Sequence, residues 1–155
     1  MIEDANGCQT APGSTVTITS PPPIITSGLV TSNYNGEDVS CNGSSDGEIT
    51  IDVVGGTGAT YTYMFTSANY NGPSPHVISG LSAGNYPVTV IDINGCTAPI
   101  PAISINEPAQ LVITTGQLDA GCNEAADGSA WVNPSGGTPF YSYLWSNNAT
   151  TVNIT

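Results

Sequence analysis

The chain has 155 residues with 12 Asp plus Glu, one His and neither Lys nor Arg, for a formal net charge of -12. With no cation to offer a phosphate backbone or an anionic lipid head, nucleic acid and membrane surfaces are excluded as partners. No apolar run approaches the roughly 18 residues of a membrane span, which excludes membrane insertion by a helix.

Hydrophobic residues make up 39%, rich in Ile, Val and Tyr, and they are punctuated by 18 Gly and 12 Pro. That mixture predicts many short strands joined by tight turns, and no window holds an apolar pattern at the helical period. In chain order, Leu29 to Thr31 is a first candidate strand. Ile49, Ile51 and Val53 then alternate with Glu48, Thr50 and Asp52, the period-2 pattern of a strand with one buried face. Tyr61 to Phe65 and His76 to Leu81 follow. Tyr86, Val88 and Val90 alternate again, and Ile100 to Ile105 comes last, with Asn-Gly, Gly-Gly and Ser-Ala-Gly turns between. Six or seven short strands per unit predict an all-β fold of tandem immunoglobulin-like β-sandwich repeats.

The repeat shows on sliding the chain against itself. Cys41-Asn42, Asp46-Gly47 and Gly55-Gly56-Thr57 recur 81 positions on as Cys122-Asn123, Asp127-Gly128 and Gly136-Gly137-Thr138. Tyr61-Thr62-Tyr63-Met64-Phe65 matches Tyr141-Ser142-Tyr143-Leu144-Trp145 at an offset of 80, and Asp4-Ala5-Asn6-Gly7-Cys8 matches Asp92-Ile93-Asn94-Gly95-Cys96 at 88. Residues 1–26 then form the tail of one repeat, 27–108 a complete repeat and 109–155 the start of another. Pro21-Pro22-Pro23 and Glu107-Pro108 mark the junctions, where proline stiffens the link and cannot extend a ladder. The text opens at Met1 and stops at Val152-Asn153-Ile154-Thr155 in mid-pattern, as a piece of a longer protein would.

These landmarks resemble the SprB-type repeat of very large surface adhesins of gliding bacteria. The resemblance rests on Cys41, Asp46-Gly47, Gly55-Gly56-Thr57, the Tyr61 to Phe65 strand, Leu81-Ser82-Ala83-Gly84-Asn85-Tyr86-Pro87-Val88-Thr89-Val90 and Asp92-Ile93-Asn94-Gly95-Cys96. It departs at Phe65, where Trp is usual, and in the lack of any cation. It implies export through the type IX system, extracellular display on the cell surface in long arrays, and a role in gliding motility and adhesion.

Every full unit owns two cysteines. If one strand lies between the Tyr61 and Tyr86 strands, parity puts Cys41 and Cys96 at one end of the sandwich and predicts a disulfide between them. Such a bond closes 55 residues and is worth about 4 kcal/mol in the chain-entropy picture. Cys8 and Cys122 would pair with halves of neighbouring repeats. The rival scheme joins Cys8 to Cys41 and Cys96 to Cys122. Either implies an oxidising compartment.

Catalysis finds no support: nucleophilic chemistry needs a base beside the nucleophile, and His76, the sole imidazole, stands in a Pro-rich segment without a motif. No enzyme and no organic cofactor are expected. The acids would suit calcium, with Asp46, Asp92 and Asn94 as candidate ligands near the proposed disulfide end, although the spacing is not that of an EF-hand. Tyr61, Tyr63 and Phe65 share a face that reads as core. Trp131 falls at the outward position of Thr50 and is the candidate ligand-binding aromatic for surface glycans. The expected function is a structural or adhesive stalk segment whose partners are the neighbouring repeats. The alternatives are a carbohydrate-binding accessory module and a self-assembling filament subunit.

Overall fold

The computed structural model describes residues 2–9, 13, 16–65 and 68–155; Met1, where the mid-pattern opening begins, lies outside them. The described residues contain no helix and ten strands, all paired antiparallel. The fold is all-β.

Seven strands build one complete unit. β1 (Ile25–Val30), β2 (Gly47–Val54) and β5 (His76–Leu81) form a sheet in the order β1-β2-β5. Against it packs a second sheet in the order β4-β3-β6-β7, from β3 (Tyr61–Met64), β4 (Asn69–Gly72), β6 (Gly84–Ile91) and β7 (Thr97–Ile105). The alternation read from the sequence sets the register: Ile49, Ile51 and Val53 of β2 point inward with Ile78 of β5, to meet Tyr61, Tyr63, Val88, Val90, Ile100, Ile103 and Ile105 from the other sheet. Each aliphatic side chain buried there contributes about 1.5–3 kcal/mol of transfer free energy. Where the sheets meet along β1 and β7, Gly28 leaves room for Ile103, whose side chain would lie 2.4 Å from any Cβ at that position.

The strand order is compatible with an immunoglobulin-like sandwich. So is the corner between β5 and β6, where the Tyr86 hydroxyl donates to the Ser82 carbonyl at 2.8 Å, the tyrosine-corner arrangement of such folds. The aromatic stripe is core, as its recurrence suggests. Tyr63 is fully buried, its hydroxyl donates to the Pro73 carbonyl, and its ring stacks on His76 at 4.6 Å. His76 is thus a strand-start residue covering a core aromatic.

Val39 is a core residue that the sequence did not flag. It is fully buried although it lies between strands, flanked by Asp38 and Ser40 without any periodic pattern.

The later part of the chain repeats the first sheet. β8 (Val112–Leu118), β9 (Ser129–Ser135) and β10 (Asn153–Ile154) stand in the order β10-β9-β8. Gly116 pairs with Trp131 as Leu29 pairs with Thr50, and Ile154 pairs with Ala130 as Ile78 pairs with Ile49. Tyr141, Tyr143 and Trp145 lean over Leu111, Ile113, Val132 and Pro134, but the space among them is an open groove of about 470 Å³.

One expectation fails here. Two strands, not one, lie between the Tyr61 and Tyr86 strands, because the chain reverses after Phe65 into β4 before crossing to β5. The parity inverts, and the two cysteines of the unit separate. Gly43 donates its amide to the Glu107 carboxylate and Asn42 donates to the Pro108 carbonyl, so Cys41 sits beyond the end of β7. Cys96 immediately precedes its start. A nine-residue strand spans about 30 Å, whereas a disulfide needs Cα atoms closer than about 7 Å. The expected Cys41–Cys96 bond is therefore not made: all four cysteines are free and exposed. The rival Cys96–Cys122 scheme fares no better, since the β8–β9 loop that carries Cys122 lies a further strand away.

Candidate functional site: the junction between repeats

Each unit receives the chain from the unit before it on a two-glycine loop. Gly55 and Gly56, with φ of +87° and +68°, turn the chain after β2. Gly56 donates its amide to the Pro22 carbonyl at 3.0 Å, and a Cβ on Gly55 would stand 2.0 Å from the Pro23 oxygen. The second unit repeats this arrangement: Gly137 donates to the Ala109 carbonyl at 2.6 Å, and a Cβ on Gly136 would stand 2.0 Å from the Gln110 oxygen. Ile24 and Leu111 pack against Gly56 and Gly137 respectively. Only glycine combines this backbone with so close an approach.

Asp92 closes the first of these sites. It is the buried acid of the core region at 5% exposure, and its carboxylate accepts the amides of Thr57 at 2.9 Å, Asn94 at 3.0 Å and Cys96 at 2.8 Å. Burial raises its pKa, but the three amides outweigh that effect and hold it below the ordinary carboxylate value. The turn is completed by the Gly95 amide on the Asp92 carbonyl and the Asp92 amide on the Cys96 carbonyl. Asp4 makes the same turn with Asn6, Gly7 and Cys8.

The predicted cation ligands do not come together. Asp46 precedes β2 and Asp92 packs beyond the opposite end of that eight-residue strand, about 26 Å away along its length. Asp46 is held below its ordinary pKa by hydrogen bonds from the Ser40 side chain and amide, and Asn94 meets Asp92 through its backbone amide. These acids act as turn staples. Among the described residues no three His, Cys, Asp or Glu side chains are placed to share a metal ion.

Trp131 is outward and half-exposed, as its register implied. Its ring lies across Gly116 on the paired strand, with the indole within 2.3 Å of where a Cβ would stand, and it remains 45% exposed.

Two grooves of about 440 Å³ flank the junctions. One is lined by Ser40, Cys41 and Asn42, by Pro108 to Leu111, and by Gly137 and Thr138. The other is lined by Pro21 to Ile24, Gly56, Asp92, Cys96 and Thr97. Cys41-Asn42, Gly-Gly-Thr, the proline junctions and the Asp92 to Cys96 turn are legible in the sequence as motifs, but their shared location is not, because it depends on strand parity.

A strand-built core, a translated second sheet and a recurring docking loop define a tandem-repeat protein of β-sandwich units. Residues 33–69 and 114–150 match the family model of the SprB repeat, two stretches again offset by 81 residues. The chain thus carries two SprB repeats, and this is a structural repeat family, not an enzyme family. No curated protein and no solved structure matches the chain. Among the described residues no helix is long and apolar enough to cross a membrane.

Proposed function

We propose that the chain is part of the extracellular stalk of a large cell-surface adhesin, a run of small sandwich beads that gives reach and carries load without catalysis. The observation that supports this reading most is the repeated junction. Gly56 on Pro22 and Gly137 on Ala109 are the same bond in successive units, so each bead holds its entering linker in the same way. A constant junction suits an array whose length and stiffness are the product. The SprB repeat, which is found in surface proteins, agrees with that setting, and the proposal includes export by the type IX route.

Antibodies raised against the chain should label intact, unpermeabilised cells of the source organism, and should block their attachment to surfaces. Labelling that appears only after lysis would overturn the reading.

A further inference from the structure

The grooves beside Cys41 and Cys96 are one site seen in two successive junctions. Pro108 to Leu111 stand 87 residues after Pro21 to Ile24, and Gly137 stands 81 after Gly56; both sets make the same backbone contact. In the first groove the remaining wall is Ser40 to Asn42, with Cys41, from the unit before the junction, and Thr138. In the second it is Asp92, Cys96 and Thr97, from the unit after it. Overlaying the two places a Cys41-type thiol and a Cys96-type thiol across one groove.

A further observation shows that the first groove is left incomplete at Thr138. Thr57 gives its amide to Asp92, and so fixes the turn that ends in Cys96. Its counterpart Thr138 holds no carboxylate, and its Oγ1 is buried without a hydrogen-bond partner. An Asp-x-Asn-Gly-Cys turn seated on Thr138 would bring its cysteine to the wall opposite Cys41.

We propose that successive repeats are tied by a disulfide between the Cys41-type cysteine of one repeat and the cysteine of the Asp-x-Asn-Gly-Cys turn of the next. Cys41 and Cys122 face forward along the array, and Cys8 and Cys96 face back. No two of the four are partners, in keeping with four exposed thiols in this chain. In the bond-forming step the two thiols give up two protons and two electrons to the disulfide of an oxidised thiol–disulfide exchange partner, which leaves as its dithiol as the new S–S bond forms. The proposal rests on the stalk reading only for its oxidising compartment. Its consequence is mechanical, because each junction would carry a covalent tie beside the proline linker.

Lengthening the chain after Thr155 by a copy of residues 80–108 completes the second unit and adds a fifth cysteine, the copy of Cys96. After refolding in oxidised and reduced glutathione, a non-reducing digest with a protease that cleaves at acids should recover Cys41 joined to the added cysteine. Recovery of the added cysteine on Cys122, or of Cys41 unlinked in a cooperatively folded chain, would overturn the proposal. If the lengthened unit does not fold, the 155-residue chain is challenged with a synthetic peptide copying residues 84–108, with its cysteine activated as a mixed disulfide. Cys41 should capture it at least about tenfold faster than the other three cysteines, as an effective concentration in the millimolar range implies. Equal capture at all four would overturn it. Cell-surface labelling reads the stalk assignment independently, so failure of either idea is visible separately.

Discussion

The amide of Gly56 and the carbonyl of Pro22, 3.0 Å apart, join a sandwich unit to the linker that enters it. The neighbouring Gly55 has no room for a methyl group, and at φ +87° it occupies backbone space that costs an L-residue about 1–3 kcal/mol. Gly55→Ala should therefore lower the melting temperature of the first unit by roughly 10 °C. Gly80→Ala, where φ is +78° but nothing lies within 4 Å of the added carbon, should cost visibly less. Equal shifts for the two in differential scanning calorimetry would show that the linker contact contributes nothing beyond backbone strain.

Asp92 sets an acid limit. Its pKa is held below the unfolded value by the amides it accepts, so its contribution is fully present above about pH 4 and is lost as the pH falls through its lowered native value. Asp46 acts in the same direction. The wild-type chain should lose stability steeply below pH 4. Asp92→Asn should be less stable at pH 7 and should flatten that acid slope. Melting curves from pH 2 to 7 check both, and an unchanged slope in the variant would assign acid sensitivity elsewhere.

Trp131 covers Gly116 from the paired strand, a cross-strand contact of the kind worth about 0.2–1 kcal/mol. Trp131→Ala should lower the stability of the β8–β9 pair by that amount. Affinity electrophoresis should show no retardation by polysaccharides for either form. Saturable retardation lost in the variant would restore the glycan-binding reading.

The strands with strict alternation were legible because burial of one face writes itself into every second residue, as at Ile49, Ile51 and Val53. Glycine pairs and the Asp-x-Asn-Gly-Cys turns were visible as recurring motifs. β4 was not, because Asn69-Tyr70-Asn71-Gly72 pairs along one edge of its sheet and has only Tyr70 packed against the core. Its reversal needs little chain: in the second unit Trp145 bonds Ala149 within one turn, so the short span to Ile154 concealed two changes of direction. That single missed reversal misplaced the cysteines, since parity decides which end of a sandwich a loop occupies. Asp46 and Asp92 were assigned to one end for the same reason. Their role as turn staples could have been suspected from the spacing of Asp92 to Gly95, which suits a side chain that bonds its own backbone two residues on.

The last prediction separates the two units. Residues 22–108 hold both sheets, the docked linker and every member of the buried core, and should fold and melt cooperatively alone. Residues 109–155 hold the β8–β9–β10 sheet and the Tyr141 to Trp145 segment, without counterparts of Tyr86, Val88, Val90 or Ile103. Their inner face is left wet, with Leu111 at 55% and Ile113 at 61% exposure. Ordering each backbone residue costs about 1–2 kcal/mol, and half a sandwich core does not offset that. The isolated 109–155 peptide should therefore give a disordered circular dichroism spectrum with narrow amide dispersion. Adding a copy of residues 80–108 to its end should restore cooperative folding, because those residues supply β6 and β7. A peptide of 109–155 that melted cooperatively on its own would show that one sheet of this fold is self-sufficient, and that the second sheet is not what completes the unit.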